Sequence, residues 1–559
     1  MEKRWEQEFF DEQEVDKIAK KLGVNRIIAA LLNIRGINTF EDAKSFFRPQ
    51  LSFLHDPFLM KDMQKAVDRL EDAIYNEESI LIYGDYDVDG ATSVAMMFSF
   101  LKNHVSNIDY YIPCRYNEGY GISFKGIDYA SENHFSLIIA LDCGISAVDQ
   151  IDYANKKNID FIICDHHNPP KKTPKANAIL NPKQRSCNYP YKELSGCGVG
   201  FKLIQAYCIR NEICFEEISD YLDLVAVSIA ADIVQMKGEN RILAFYGLKQ
   251  LNSKPRAGLK ALISLTKKTS NITVSDISFG IAPIINAAGR VDHAKKAVEI
   301  LIQEDLQKAL LLVSSIEENN KTRRNLDKSI TEEALKKVSP NKNSIVVFSK
   351  KWHKGVIGIV ASRLIEAYYK PTIVFSESNG VFTGSARSVH DFDLYDAISK
   401  CSYLCENFGG HKFAAGLSVK KENLNSFIDE FEKAVTGSIT EDQRIPRINI
   451  DMEIDINDID DKLVRIIKQF APFGPSNPSP VFVTRDVIDN GFGKKIGVEK
   501  SHLRVNIQTK KGALSAIGFG MGEYLSKATN NQTFSICYSI SENEWKGKRS
   551  IQLLISDIK

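Results

Sequence analysis

Three short hydrophobic runs in the first half of the chain each end in carboxylates or histidines, and this repeated pattern restricts the fold more than any other feature. The runs are residues 79–83, followed by Gly84-Asp85-Tyr86-Asp87-Val88-Asp89; residues 135–141, followed by Asp142-Cys143-Gly144; and residues 161–164, followed by Asp165-His166-His167. Short Ile-, Leu- and Phe-rich runs separated by helix-like stretches are typical of buried parallel strands. The pattern therefore predicts an α/β domain.

The polar residues that follow these runs are expected to converge. In an open α/β sheet, ligands bind in the crevice beyond the carboxyl ends of the strands. If the three strands are neighbours, five aspartates and two histidines meet there. Carboxylates held together repel and raise one another's pKa, so this much negative charge in one cleft is difficult to explain without bound cations. The pattern predicts a multinuclear metal site.

The first acidic cluster consists of Asp85, Asp87 and Asp89, with Gly90 after them. In an extended segment, a period of two places all three carboxylates on one side. The alternatives are a calcium-type acidic loop and a solvated turn. An EF-hand requires a longer pattern that ends in Glu, together with flanking helices, and neither is present.

Three further elements strengthen the metal interpretation. Histidines directly after a buried strand, as at His166 and His167, serve few structural purposes, and a neutral His ligates divalent ions while its neighbour can meet a phosphate or a water. Asp142 is weak alone, because Asp often caps the next helix. The apolar residues 224–231 predict a buried helix ending in Asp232, where a carboxylate without a partner is costly.

Oxygen-rich ligands with one imidazole suit Mn²⁺ or Mg²⁺ rather than zinc or copper. Two such ions can activate a water and stabilise the leaving oxygen of an in-line displacement at phosphorus. The chemistry indicated is phosphoester hydrolysis.

The rest of the chain divides into distinct patterns. We expect a helical segment over 1–64, an α/β catalytic domain over 65–310, a connecting helix over 311–340, a second α/β domain over 341–438 and a β-rich domain over 439–559. The connecting helix belongs to a charged stretch, residues 305–337, with few glycines or prolines. Alternating stretches in the last segment, such as 503–507 and 551–555, suggest a small β-barrel or sandwich.

Composition excludes some classes of protein. No apolar stretch approaches the ~20 residues of a membrane span, and the amino terminus is too charged for a secretory signal. Ten cysteines without paired spacing favour reduced thiols and a cytoplasmic location. A net charge of +1 says little about a polyanionic partner, because an acidic cleft can offset basic surfaces.

The ordered motifs resemble those of the DHH phosphoesterase superfamily. Within it, the resemblance is to the single-strand-specific 5′→3′ exodeoxyribonucleases of bacterial DNA repair and recombination. The matching segments are 84–90, 141–144, 165–167 and 230–234, followed by 111–121, 285–290, 384–388 and 409–416. The resemblance extends from about residue 30 to the end of the chain. It implies a DHH catalytic domain, a DHH-associated domain and a C-terminal OB-fold.

The resemblance also implies a role for each matching residue at the metal site. The residues implied to hold two ions, Mn²⁺ or Mg²⁺, are Asp87, Asp89, Asp142, His166 and Asp232, with Asp142 and Asp232 as bridges. Asp85 would be a nearby carboxylate, and His167 would face the scissile phosphate. The chain departs from the family at Tyr83, where relatives often carry a histidine, and this affects the affinity of one metal position.

Phosphate recognition is expected to use arginines in three loops, Arg115, Arg290 and Arg387, because guanidinium groups hold phosphate oxygens bidentately. For a single loop arginine, the alternative is a surface salt bridge. The small residues between Asn286 and Arg290 allow close backbone approach to a ligand. Residues 409–411 predict a helix N-terminus. The resemblance makes Ser385, Arg387 and His411, with Gly410 beside it, candidate contacts of the 5′-terminal phosphate.

Two binding surfaces follow from this organisation. A groove between two domains joined by one helix would admit single strands and exclude duplex. In the β-rich domain, the resemblance to an OB-fold implies that basic residues and aromatic platforms bind single strands. The candidates are Lys494, Lys495, Lys500, Arg504, Lys510 and Lys511 for charge and Phe482, Phe492 and Phe519 for stacking, although such phenylalanines often belong to a barrel core.

The function expected is therefore metal-dependent removal of 5′-mononucleotides from single-stranded DNA. Plausible partners are a RecQ-type helicase and a single-strand-binding protein. One alternative is a phosphodiesterase of short oligoribonucleotides or cyclic dinucleotides. The other is a metal-free replication scaffold built on the same frame.

Overall fold

The computed structural model describes residues 2–114, 118–266, 268, 270–291, 295–378, 380–529, 532–545 and 548–559; the side chains of 288–291, 319, 378, 545 and 548 lie outside the description. The chain forms two compact units. The larger unit holds residues 6–289, 295–314 and 449–559, and the smaller is built around 315–448. Among the helices described, none has both the length and the apolar surface that crossing a bilayer requires.

The amino-terminal segment is mainly helical, as predicted. It contains β1 (Arg4–Gln7), α1 (Glu12–Leu22), α2 (Arg26–Ile34) and α3 (Phe40–Phe47). The side chains of Asp11, Asn25 and Thr39 cap the three helices by accepting backbone N–H groups, which explains where each helix begins. Strand β1 was not predicted, and it pairs with a strand near residue 448.

The catalytic sheet is parallel, with the strand order β3-β2-β4-β5-β6. Its elements are α4 (Met63–Tyr75), β2 (Ile80–Gly84), α5 (Val88–Leu101), β3 (Ile108–Tyr111), α6 (Phe124–Glu132), β4 (Leu137–Leu141), α7 (Val148–Lys156), β5 (Asp160–Cys164) and β6 (Ala178–Leu180). The three hydrophobic runs of the sequence are thus the adjacent strands β2, β4 and β5, which confirms the α/β prediction.

A helical layer follows the sheet. It consists of α8 (Gly196–Arg210), α9 (Glu216–Ser219), α10 (Leu222–Ala231), α11 (Gly238–Ser253), α12 (Ala257–Leu265), α13 (Val274–Asp276), a π-helical turn (Ile277–Ile281), α14 (Ala282–Val291), α15 (Lys295–Leu301) and α16 (Leu306–Lys337). Helix α10 is buried and packs against α5, α8 and α11, so the prediction of a buried helix ending at Asp232 is confirmed. Helix α16 is continuous, and Asp305 caps its start.

The smaller unit has a five-stranded sheet in the order β10-β11-β9-β8-β7, with one parallel pair, β7 and β8. Its elements are β7 (Ile345–Ser349), α17 (Ile357–Tyr368), β8 (Thr372–Ser378), β9 (Val381–Arg387), α18 (Leu394–Ser399), β10 (Cys405–His411), β11 (Ala414–Lys420) and α19 (Leu424–Ser438). The buried rings of Phe375, Phe427 and Phe431 fill the space between this sheet and α19.

The C-terminal part of the larger unit forms a seven-stranded sheet in the order β13-β14-β18-β19-β17-β16-β15. Its elements are β12 (Arg447–Ile450), β13 (Met452–Glu453), α20 (Asp461–Gln469), β14 (Val481–Val487), β15 (Lys494–Ile496), β16 (His502–Thr509), β17 (Gly512–Gly518), α21 (Leu525–Ala528), β18 (Phe534–Trp545) and β19 (Lys548–Ile558). Its core is continuous with the amino-terminal helices, because Val15 and Leu31 belong to the same buried cluster as Leu503.

Two local predictions were wrong in the larger unit. Asp85, Asp87 and Asp89 do not alternate along an extended segment, because α5 begins at Val88 and the Asp87 side chain caps it. Residues 286–290 do not form a loop but lie in α14. Buried Ile281, Ile284 and Ile285 recur at helical spacing there, and that periodicity outweighs the small residues that suggested a loop.

Two predictions were also wrong in the smaller unit. Residues 409–411 end strand β10 instead of starting a helix, and Arg387 ends strand β9 instead of lying in a loop. Both strands pair with β11. Residues 409–411 form one arm of a tight hairpin with β11, and β11 is fixed in the sheet by β9, an earlier segment that the glycines and polar residues around 409–411 do not reveal.

Candidate metal centre

The carboxyl ends of three strands meet at one edge of the catalytic sheet. The register pairs Gly84 with Leu141 and Leu141 with Cys164, so the strands end level with one another. The residues that follow them are Asp85, Asp142 and Asp165, which are all buried. The convergence expected from the sequence is present.

His166 lies at the centre of an acidic cluster. Its Nε2 atom is 3.2 Å from Oδ1 of Asp142, 3.5 Å from Oδ2 of Asp232 and 3.8 Å from Oδ2 of Asp89. These side chains come from the ends of β4, β5 and α10 and from the first turn of α5. In each of two triplets, Asp89–His166–Asp232 and Asp142–His166–His167, the possible ligand atoms lie within 4.8 Å of one another.

The first turn of α8 fixes Asp89. The backbone N–H groups of Gly196 and Cys197 donate to its two carboxylate oxygens at 2.7 and 2.8 Å, and the Ser228 hydroxyl donates to Oδ1 at 2.7 Å. Any Cβ at Gly196 would lie 2.6 Å from Cβ of Asp142, so only glycine fits between the two aspartates. Sequence reasoning missed this support. The sequence feature that could have revealed it is Ser195, which caps α8 directly before Gly196, because a helix N-terminus binds anionic groups such as the Asp89 carboxylate.

Several buried atoms of the cluster have no hydrogen-bond partner among the described residues. They are Oδ1 of Asp142, Oδ2 of Asp85 and both ring nitrogens of His166. Orphaned buried polar atoms are rare and require an explanation, such as an ion. Carboxylate oxygens with one imidazole form a donor set that suits Mn²⁺ or Mg²⁺. The residues present therefore fit a divalent-cation centre.

The electrostatics lead to the same conclusion. Burial, followed by repulsion from Asp87, raises the pKa of Asp85 to about 8, and burial with Asp89 raises that of Asp232 to about 8. Burial and Asp89 also raise the pKa of Asp142 well above its usual value. Burial lowers the pKa of His166, which keeps the ring neutral as a ligand requires. Divalent cations would relieve this repulsion.

His167 has a different environment from its neighbour. Its Nδ1 lies 2.7 Å from Oδ1 of Asp165, and its Nε2 lies 3.0 Å from the Tyr120 hydroxyl. Burial lowers the pKa of His167, but the hydrogen bond to Asp165 and the surrounding aspartates outweigh it and raise the pKa to about 9. The Ile145 N–H also donates to Asp165. His167 is therefore a positively charged group beside the acidic cluster.

The first two aspartates of the acidic motif occupy other positions. Asp87 accepts the Gly90 N–H as the cap of α5, and Asp85 accepts the Gly121 N–H at 3.3 Å. The Tyr83 hydroxyl donates to the Gly121 carbonyl and accepts the Ser123 N–H at 3.0 Å. Tyr83 thus supports the loop that contacts Asp85, and its hydroxyl is engaged away from the cluster.

The candidate phosphate ligands of the smaller unit share one face of its sheet. The register pairs Arg387 with Ala414 and Ala414 with His411, and Ser385 lies two residues before Arg387. Directly paired residues, and residues two apart on one strand, point to the same face. The face is open, because a Cβ on Gly409 or Gly416, which lie between these side chains, would meet nothing within 4 Å.

The start of α17 reaches the same face. A Cβ at Gly358 would lie 2.9 Å from the Ser385 hydroxyl and 3.0 Å from the Arg387 guanidinium. Arg387 also donates to the Ser385 hydroxyl at 3.1 Å. Gly410 has a structural requirement, since its φ is 142° and a Cβ would lie 2.4 Å from the Ala414 carbonyl oxygen. A guanidinium, a hydroxyl and a helix N-terminus together suit an anion.

The other candidate substrate residues are less well defined. Asn286 is half-buried in α14, Arg115 lies outside the described residues, and of Arg290 only the backbone, in α14, is described. In the β-rich domain Phe482 is fully buried, so its prediction as a stacking residue was wrong. Phe492 and Phe519 are exposed.

Comparison with protein families agrees with the three-part organisation. Residues 79–229 match the DHH family, N-terminal domain, residues 341–437 match the DHHA1 domain, and residues 450–557 match the RecJ OB domain. The chain is 37% identical to the single-stranded-DNA-specific exonuclease RecJ of Bacillus subtilis, with 99% of the chain and 70% of the relative covered. It is 32% identical to the protein of the same name from Haemophilus influenzae, with 93% and 94% covered.

Solved structures show the same fold. The crystal structure of RecJ in complex with Mn²⁺ from Thermus thermophilus matches with a TM-score of 0.86 at 24% identity, covering 100% of this chain and 79% of that one. A structure of exonuclease RecJ bound to manganese matches with a TM-score of 0.61 at 29% identity, covering 70% of this chain and 97% of that one. From its full-length similarity and its three matching domains, the chain belongs to the RecJ family of DHH proteins.

Proposed function

We propose that this protein is a single-stranded-DNA-specific 5′→3′ exonuclease that releases 5′-mononucleotides and acts in DNA repair and recombination. The observation that carries the proposal is the buried acidic cluster around His166, with orphaned ligand atoms, in a chain of the RecJ family. The relatives act on single-stranded DNA by name, and the cluster supports metal-assisted hydrolysis.

The residues proposed to hold two Mn²⁺ or Mg²⁺ ions are Asp87, Asp89, Asp142, His166 and Asp232. Such a pair of ions supplies activation of the water and charge neutralisation at both the attacking and the leaving oxygen. The protein's own contribution is to hold the proposed ligands in fixed positions. The start of α8 and Ser228 hold Asp89, so its carboxylate needs no reorganisation when the substrate binds.

His167 is proposed to stabilise the negative charge that develops on the phosphoryl oxygens. Asp165 pairs with Nδ1 and helps to raise the pKa of His167 to about 9, and in the resulting imidazolium Nε2 also carries a proton that it can donate. The Tyr120 hydroxyl lies 3.0 Å from Nε2 in this structure, and a phosphoryl oxygen would take its place. Asp85 is proposed to assist as a carboxylate next to the ligands rather than as a ligand.

The 5′ end of the strand is proposed to bind in the smaller unit. Ser385, Arg387 and His411 face the same side of the sheet as the start of α17, and this set suits a terminal phosphate. Arg115, Asn286 and Arg290 are proposed to contact the backbone of the strand. Recognition of the end, rather than of a sequence, would give the 5′→3′ direction.

The β-rich domain is proposed to hold the more distant part of the strand. Exposed Phe492 lies two residues before Lys494 of β15, which pairs with Arg504, and exposed Phe519 follows Gly518, which pairs with Leu503. Basic residues combined with exposed aromatic rings bind single strands by charge and stacking. A RecQ-type helicase and a single-strand-binding protein are proposed partners, since both supply single strands. A cytoplasmic location is supported by ten cysteines that are all free.

The decisive experiment uses single strands labelled at either end. With Mn²⁺, we expect mononucleotides to be released from a free 5′-phosphorylated end, and no release when that end is blocked. Release from the 3′ end, or equal degradation of blunt duplex, would contradict the proposal. A parallel reaction with dinucleotides and cyclic dinucleotides tests the alternative phosphodiesterase, and complete inactivity with all substrates would favour the metal-free scaffold.

A further inference from the structure

An exposed, strained isoleucine follows the acidic cluster directly. Ile233 has a φ of 58°, in the left-handed region, and its side chain is 66% exposed. A β-branched residue in this conformation is a true outlier, because Cβ crowds the following carbonyl. Asp232 precedes it, so Ile233 stands at the rim of the centre. Ile233 is neither buried nor in a backbone conformation that isoleucine favours, so core packing and conformational preference do not account for an isoleucine at this position.

A second unusual feature, a π-helical turn, packs against α10, the helix that ends just before Ile233. Residues 277–281 form a π-helical turn, and Phe279 within it is 80% exposed while Ile277 and Ile281 on either side are fully buried. Short π-helical segments inside helices are rare and are frequent at functional sites. The turn therefore presents an aromatic ring to solvent.

A hydrogen bond joins the two segments. The Ser278 hydroxyl donates to the Ala230 carbonyl at 2.6 Å, and the π-helical turn packs against α10. Ala230 lies two residues before Asp232. Phe279, next to Ser278, and Ile233, next to Asp232, thus both neighbour the last turn of α10. The turn continues into α14, which carries Asn286.

We propose that Ile233 and Phe279 form an apolar platform that contacts a nucleobase of the strand undergoing hydrolysis. The inference rests on the proposed function. A phosphodiester bound at the acidic cluster carries a nucleoside on each side, only a few bonds away. Stacking on an aromatic ring is insensitive to sequence, because every base has a π-face. The platform would hold the strand against the metal centre without selecting a base.

The position of the pair favours a base over other occupants. Ile233 is covalently adjacent to Asp232, so the nucleoside attached to a phosphate bound at the cluster would be within reach of it. A protein partner bound there would block the cluster. The strain at Ile233 also has a reason in this proposal, because strained backbone persists where function requires it.

The test compares KM and kcat on two 5′-phosphorylated strands, one normal and one with abasic residues at its first positions. Phe279→Ala is expected to raise KM on the normal strand about 10-fold, as expected for the loss of one stacked base, with little change in kcat. On the abasic strand, the same variant should match the unaltered protein. Ile233→Gly is expected to raise KM similarly without loss of thermal stability, because glycine tolerates the left-handed backbone.

Matched controls separate the platform from a structural effect. Ile233→Val keeps a β-branched apolar side chain and should raise KM less than Ile233→Gly does. Tyr75→Ala removes an aromatic ring that is 88% exposed at the end of α4, before strand β2 begins, and should have no effect. Equal KM changes on normal and abasic strands, or no change in either variant, would overturn the platform. Absence of 5′→3′ degradation by the unaltered protein would instead overturn the proposed function along with it.

Discussion

The larger unit buries charge in two different ways. The pair formed by Lys202 and Glu239 compensates its own charges, whereas the acidic cluster around His166 does not. In the pair, Lys202 donates to Glu239 at 3.0 Å and to the His55 carbonyl at 2.8 Å, while Glu239 accepts from the Tyr189 hydroxyl at 2.6 Å and the His55 N–H at 2.9 Å. Both charged side chains are fully buried. The charges cancel, and neither side chain leaves a buried polar atom without a partner.

In the acidic cluster around His166, the charges do not cancel and some buried polar atoms have no hydrogen-bond partner among the described residues. Its carboxylates repel one another, and Asp142 and His166 leave atoms without hydrogen bonds. A buried charge is tolerated when it is paired and costly when it is not. The comparison teaches that burial of charge alone does not mark a functional site. A functional site is indicated when buried charges have no compensating charge or hydrogen-bond partner within the protein.

The largest effect is expected for Asp142→Asn. Loss of a carboxylate proposed to hold the metal ions should lower turnover on the order of 10³-fold, because metal ions contribute several kcal/mol of transition-state stabilisation. In the presence of a chelator the same variant should unfold at a higher temperature, since a neutral amide replaces a buried carboxyl group that its surroundings disfavour in the charged form. Asp223→Asn is the matched control: it breaks the buried pair with Arg256, so it should lower stability and keep turnover per folded molecule. Unchanged turnover in Asp142→Asn would break the comparison.

Lys202→Met is expected to lower stability and leave turnover unchanged, the reverse of the result expected for Asp142→Asn without metal. It leaves Glu239 charged and buried without its cation, so the free energy of unfolding should fall by about 3–5 kcal/mol. Turnover per folded molecule should not change. Urea unfolding with activity measured on the same sample checks both points. The double variant Lys202→Met with Glu239→Gln should recover part of the loss, and no recovery would show that the two charges do not act as a pair.

Metal binding should distinguish the two clusters directly. At a Mn²⁺ concentration 100 times the dissociation constant, the free energy of unfolding should rise by about 2.7 kcal/mol. Thermal unfolding with Mn²⁺ and with a chelator measures the difference. The gain should be reduced in Asp142→Asn and preserved in Asp223→Asn. Equal gains in both variants would place the bound ion elsewhere.

Stability without metal should depend on pH in a defined direction. Asp85 and Asp232 have pKa values raised to about 8, so the folded protein holds protons that the unfolded chain releases above its own pKa of about 4. His167, raised to about 9, acts in the same direction, and His166, whose pKa is lowered, opposes it. The free energy of unfolding should therefore decrease as pH rises towards 9. Mn²⁺ should flatten this slope, and a chelator-treated protein that gains stability over the same range would contradict the assignment.

The smallest effect is expected for Tyr83→Phe. Loss of the hydroxyl removes the bonds to Gly121 and Ser123, so stability should fall by about 1 kcal/mol. The loop that donates to Asp85 should then be less well held, and Mn²⁺ affinity should weaken only slightly because Tyr83 does not reach the cluster. Calorimetric titration with Mn²⁺ checks this. A large loss of affinity would show that Tyr83 acts on the metal position itself.

The sequence predicted the acidic cluster because its signal is local. Each strand carries its hydrophobic run and its carboxylate or histidine in consecutive residues, and parallel strands end at one edge. The π-helical turn and the strand position of His411 had no such signal. The π-helical turn is held by Ala230, far from Ser278 in the chain, and the hairpin that contains His411 becomes part of a sheet only through the pairing of β11 with β9.

The sequence by itself determined the α/β class, the order of the motifs and the chemistry of the ligand set, since these follow from residue type and spacing along one strand. Only the tertiary structure decided which carboxylates meet His166, that α8 holds Asp89, and that Tyr120 contacts His167. The physical reason is distance along the chain. Hydrogen bonds between segments more than 40 residues apart depend on how helices pack on the sheet, and hydrophobic periodicity does not encode that arrangement.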